Sequence, residues 1–348
     1  MAPKSSTRSS SSKRSTTFKS IEECMAAAGK LQEVTDPVTR AACTPDLELF
    51  QPLGLPRRGD WLAEKKEVGQ TYTTYSRRMK PPLTPTKLTD TVLLVPLGAS
   101  FGQGVALQFL DYLVEYCSAF FSGMTVDVMQ KPLSLGKARK RLNDFSHDQY
   151  LIEDLFSLLD TETRTHRKAY CRLGITMEDI YPGDDWNYVF GQARPLERVG
   201  VFSFARHSPF FYNGLHASQV DASSLRELRA VWLRACMRTM VHETCHMFGI
   251  LHCVYFHCVM NGSNGPGDSA GRSSFMCPVC LRKLFLALSF APGASGVLPR
   301  YEAMLQVMGR ILADFGGADE SDGMQELTAD MAWLGKRMAT LAAPPPPA

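Results

Sequence analysis

The chain has 348 residues, 45% hydrophobic and 21% charged, with a net charge of only +3. That is the composition of a globular protein with one large or two ordinary domains, and it implies neither a polyanionic partner nor a membrane span. Ten cysteines without a secretory leader point to thiols or metal ligands rather than a disulfide framework.

Residues 1–20 carry five basic residues and no acid among many serines, and read as a disordered tail. The expected location is intracellular, cytoplasmic or nuclear, with a mitochondrial presequence kept open. Residues 21–86 look like an irregular N-terminal extension, starting with a short helix in IEECMAAAGKLQEV and ending at the paired prolines of RRMKPPLTPTK. A main unit follows over 87–318, and 319–348 hold a last helix (325–343) and a proline-rich tail.

Within the main unit, TVLLVPLG (91–98) reads as a buried strand and GVALQFLDYLVEYCSAFF (104–121) as an amphipathic helix. MTVDVM (124–129) is a second strand and SHDQYLIEDLFSLLD (146–160) a second helix. YPGDDWNYVFGQA (181–193) turns and then runs into an aromatic strand, and ERVGVFSFAR (197–206) is the next strand. Alternating strands and helices predict an α/β fold, a sheet with covering helices. The strongest helix covers 224–248, with Ser224 and Glu227 as a capping box and Gly249 as a left-handed stop. A closing helix is expected at 301–316.

That strongest helix carries His242, Glu243 and His246, and His252 follows Gly249: H-E-x-x-H-x-x-G-x-x-H. Histidines four apart share a helix face, so both can grip one zinc, with His252 returning as a third ligand. Three histidines leave a coordination position for water, and Glu243 can act as general base and acid. Cys245, inside the motif, reads as a small packing residue, and His257 as a loop residue.

Cys253 follows His252 directly, and Cys253, Cys258, Cys277 and Cys280 have the spacing C-x4-C-x18-C-x2-C. Four thiolates close a tetrahedral metal, so this site is expected to be structural and to clamp the glycine-rich loop between its two pairs. A disulfide pair or an iron–sulfur cluster is the minor alternative. No helix with a basic reading face accompanies it, which argues against nucleic acid. Two Zn2+ per chain are expected, one catalytic and one structural. Met260, eight residues past His252, can floor the histidine site.

Taken together, HETCHMFGILHC, CVM and CPVC resemble the archaemetzincins, metzincin-like zinc peptidases, from about residue 91 to 316. YPGDDWNYVFG and CPVCLRKL are similar to the archaemetzincin-2 type. The resemblance implies a zincin fold with a mixed twisted sheet, Met260 as the Met-turn, and an edge strand that supports an extended substrate, for which ERVGVFSFAR is the candidate. It implies a peptidase, aminopeptidase-like action included, on peptides or small proteins. The alternatives are a zinc-stabilised adaptor without turnover and an amidase on a non-peptide substrate. A monomer without nucleic-acid or membrane partners is expected. This chain departs from the family pattern at Cys245, where glycine is frequent, and Asp268 only approximates the acid expected after the Met-turn. Asp184, Asp185 and Glu197 are the candidates for recognising a free amine.

Overall fold

A computed structural model describes residues 18–79, 83–212, 217–265, 272–289, 296–316 and 322–343. Asp268 and most of the basic tail lie outside the described residues.

Five short helical segments fill the N-terminal extension, four of them α-helical: α1 (Ile21–Ala26), α2 (Pro37–Cys43), α3 (Trp61–Glu64) and α4 (Tyr72–Arg78). Ser20, Asp36 and Thr71 cap α1, α2 and α4 by accepting from backbone N–H groups of the first turn. The extension lies on the main unit and on the last helix. Leu53 N donates to Tyr255 O (3.0 Å), and Trp333 Nε1 donates to Leu49 O (3.3 Å).

The main sheet runs β2 (Thr125–Val128), β1 (Thr91–Leu97), β5 (Ala169–Thr176), β8 (Val199–Ser203), β7 (Gly191–Arg194). All pairings are parallel except β7 with β8. Central strands of a parallel sheet are covered on both faces, and every residue of β1 and β8 is buried, which explains their continuous apolar runs. One face carries α6 (Ile152–Thr163). The other packs against α5 (Gly104–Phe120) and α7 (Ala222–Met247), in the same core as α8 (Pro278–Ala287), α9 (Val297–Phe315) and α10 (Asp322–Ala342). A smaller sheet, β3 (Lys140–Leu142), β4 (Asp148–Leu151), β6 (Asp179–Tyr181), flanks the main one. The α/β fold with a mixed sheet and covering helices is therefore present.

Three expectations need correction. The segment 146–160 is not one helix. Its first part is β4, whose Gln149 is buried and donates through Nε2 to Asp179 Oδ2 (2.8 Å), so pairing with β6 overrides helical pattern. The cap of α7 is Asp221, whose Oδ1 accepts from Ser224 N (3.0 Å), so the helix starts two residues earlier than expected. The strand in ERVGVFSFAR is interior: β8 lies between β5 and β7, and the edge belongs to β7.

Candidate metal centre

The end of α7 is fixed by aromatic packing. Phe248 stacks between Phe121 and Tyr170, with centroids 5.4 and 5.0 Å away. Gly249 then takes φ +72°, as expected for the stop, and its N–H returns to His246 O (2.9 Å). The reversal sends His252 back to the face that carries His242 and His246. The three rings lie 4.8–5.3 Å apart, centroid to centroid.

Each imidazole is oriented through Nδ1. His242 Nδ1 donates to Val259 O (2.7 Å), His246 Nδ1 to Ile250 O (2.7 Å) and His252 Nδ1 to Glu67 Oε1 (2.8 Å). All three partners can only accept, so the proton sits on Nδ1 and each Nε2 offers a lone pair. The Nε2 atoms of His242 and His246 are 3.2 Å apart. Neither can donate to the other unless charged, and burial pushes His242 well below the usual histidine value and His246 down to about 4. Converging neutral lone pairs call for a cation. Ligands at roughly 2.0–2.1 Å around a tetrahedral ion would stand roughly 3.3 Å apart, so the residues present fit a metal.

Glu243 is half-buried beside these rings. Burial lifts its carboxyl to about 7, while His252 and Arg272 pull it back. It opens on a cleft of about 880 Å³ whose walls include β7 (Gly191, Gln192, Ala193), Trp61, Trp186 and Arg272. Asp185 also lines this cleft, whereas Glu197 faces Arg194 at 3.6 Å. Among the described residues, only one side of β7 is paired, to β8, so its other backbone edge is available for an extended chain.

The four cysteines form the second cluster. Their Sγ atoms all lie within 4.8 Å of one another, and all four residues are buried. Cys253 Sγ and Cys277 Sγ are 3.6 Å apart. A disulfide would need about 2.05 Å, whereas thiolates about 2.3 Å from a shared tetrahedral ion would stand about 3.8 Å apart. Cys258 Sγ accepts from Met260 N (3.4 Å) and Cys277 N (3.3 Å), bonds that suit a thiolate. Hydrogen bonds from Cys258, Cys277 and Cys280 hold the Cys253 thiol well below its usual value, while burial pushes Cys258 and Cys277 up. Four sulfurs cannot all ionise here without a cation, so this set also fits a metal.

The clusters share a loop. Cys253 N donates to Met260 O (2.7 Å), and Asn261 Nδ2 donates to Cys253 O (2.8 Å) and Phe256 O (2.9 Å). The same loop supplies Val259 O to His242. Met260 is fully buried within it. Cys245 is fully buried in α7, and His257 is exposed, both as the sequence suggests. Sequence reasoning missed Glu67, Trp61 and Arg272. Glu67 is 185 residues from the ring it holds, and no spacing rule spans that distance.

The family model of peptidase family M54 matches residues 110–285. The chain is 30% identical over 309 residues to archaemetzincin-2 of Homo sapiens, covering 83% of each chain. It is 27% identical over 302 residues to archaemetzincin-1 of Mus musculus, covering 80% of this chain and 58% of that one. The crystal structure of an archaemetzincin from Methanopyrus kandleri is 27% identical and covers 59% of this chain and 98% of its own, at a TM-score of 0.43.

Proposed function

The chain belongs to peptidase family M54, the archaemetzincins, and on that premise we propose that it hydrolyses peptide bonds with a zinc ion held by His242, His246 and His252. The observation that carries this reading is the convergence of three Nε2 lone pairs, each fixed by an acceptor on Nδ1, at the floor of the cleft that Glu243 enters. The chemistry that a zinc ion supplies there is Lewis acidity and a depressed pKa for water.

This chain's residues do the rest. Glu243 accepts a proton from the attacking water and returns it to the leaving amine, and a carboxyl lifted by partial burial suits both directions. The free edge of β7 aligns an extended peptide along the cleft, fixing the scissile carbonyl in direction. Cys253, Cys258, Cys277 and Cys280 hold a second, structural zinc, which makes two per chain, and Met260 serves as the Met-turn. The substrate is a peptide or small protein. Asp185 and Glu64 both line the cleft, and a free amine met by either acid would give aminopeptidase-like action.

A peptide library with free and blocked N-termini tests the reading. The metal-replete protein should cleave and the metal-stripped protein should not. Selective loss of cleavage when the N-terminus is blocked supports aminopeptidase action, and cleavage of blocked peptides sinks it. Absence of any cleavage at full metal occupancy would favour the adaptor reading instead. Among the described residues, no helix is long and apolar enough to cross a membrane.

A further inference from the structure

The stretch matched to the peptidase family begins at residue 110, yet one of the three histidines is held by a residue far outside it. Glu67 Oε1 accepts from His252 Nδ1 at 2.8 Å and from Trp61 Nε1 at 2.9 Å. The Trp61 indole meets the His252 ring edge-on, with centroids 5.2 Å apart. That indole lies so close to Gly262 that an added Cβ would stand 2.4 Å from Trp61 Cδ1. Trp61 is thus wedged between the cysteine-clamped loop and the third histidine.

The same segment grips the turn that delivers His252. Gln70 Nε2 donates to Gly249 O (3.1 Å), and Gln70 Oε1 accepts from Leu251 N (3.2 Å). Tyr75 Oη donates to Phe248 O (2.8 Å). Every backbone position from the end of α7 to His252 therefore lies within one residue of a partner from the extension.

We infer that residues 61–79 are a working part of the metal centre, with Glu67 as the positioning residue that fixes the tautomer and direction of His252. His242 and His246 lean on carbonyls, so Glu67 is the charged acceptor in this set. A carboxylate on Nδ1–H makes the opposite nitrogen a stronger donor to a cation, and loss of such a partner typically costs about 10–100-fold in metal affinity. Glu67 Oε2 is buried without a hydrogen-bond partner among the described residues, so its polar contacts run through Oε1.

The inference rests on the histidine site being a metal site, and the test separates the two. Zinc affinity is measured by competition with a chromophoric chelator on the full chain for the parent, Glu67→Gln, Glu67→Ala and His252→Ala. The cysteine site in each sample serves as the internal reference. The expected result is a 10–100-fold weaker histidine site in Glu67→Ala, a smaller loss in Glu67→Gln, and an unchanged cysteine site. In protein labelled with ¹⁵N-histidine, the His252 Nδ1–H resonance should move upfield in Glu67→Gln, while the unfolding midpoint of the metal-free protein stays at the parent value. Parent-like affinity in both Glu67 variants, with His252→Ala impaired, overturns the role of Glu67 and leaves the metal site standing. If His252→Ala binds zinc as the parent does, the metal site falls and the inference with it.

Discussion

Replacing Gly249 by alanine tests the turn on which the histidine site depends. Gly249 has φ +72°, and a non-glycine residue in the left-handed region costs about 1–2 kcal/mol. An added Cβ would also stand 2.7 Å from Met79 Sδ, closer than real contacts allow. The obstacle is the far end of a flexible side chain, so Met79 can move aside at about 0.5–1.5 kcal/mol for an off-rotamer position. The two effects sum to about 1.5–3.5 kcal/mol of lost stability. Denaturant unfolding of Gly249→Ala, Met79→Ala and the double variant separates them. Starting from Met79→Ala, adding the Gly249 change should cost only the backbone part, about 1–2 kcal/mol. Because the turn delivers His252, zinc affinity at the histidine site should fall in Gly249→Ala as well. Gly249→Ala within about 0.5 kcal/mol of the parent, the scatter of a neutral surface change, would refute the strained-turn argument.

Cys280→Ser should remove one metal per chain and lower the unfolding midpoint sharply, because the binding energy of a closed cysteine site is folding energy; elemental analysis with a urea titration checks both. Asp179→Ala should cost about 3–5 kcal/mol, since it leaves the buried Arg206 guanidinium without the carboxylate that accepts from Nε (2.7 Å) and Nη2 (2.8 Å); parent-like stability would show that the pair is replaceable. His207 is stacked on Phe190 with its Nε2 2.7 Å from Thr239 Oγ1, and burial holds it down to about 3. The unfolded chain takes up this proton below about 6.5 and the folded chain does not, so stability is full above that value and falls by up to about 1.4 kcal/mol per pH unit below it. His207→Phe should therefore lose less stability than the parent between pH 7.5 and 5, and equal losses would contradict the assignment.

The two candidate metal clusters were legible because their residues sit at fixed local intervals. Four-residue spacing on α7 and the left-handed Gly249 are enough to bring His242, His246 and His252 together, and the CPVC pair opens α8 as a compact knuckle. The α/β class was legible for the same reason: β1 and β8 are short, wholly apolar runs between helical patterns. What failed depends on distant partners. Asp148–Leu151 reads as helix alone and becomes a strand because β3 and β6 offer it hydrogen bonds. The identity of the edge strand is a matter of sheet order, and GQAR has no pattern that announces an edge. Ser224 satisfies the capping-box rule, yet Asp221 three residues earlier takes the role. Glu67 sits in a turn-rich extension where nothing local marks it as a partner of His252.

In the proposed hydrolysis, Glu243 moves the proton beside a metal held by three histidines. Glu243→Gln keeps the shape of the side chain and removes its basicity. The direct measurement is kcat/KM on a cleaved library peptide, with zinc counted on the same samples. A loss of at least about 10²-fold, the usual worth of a positioned base, is expected with the metal content unchanged from the parent. Parent-like turnover at full metal occupancy would contradict it.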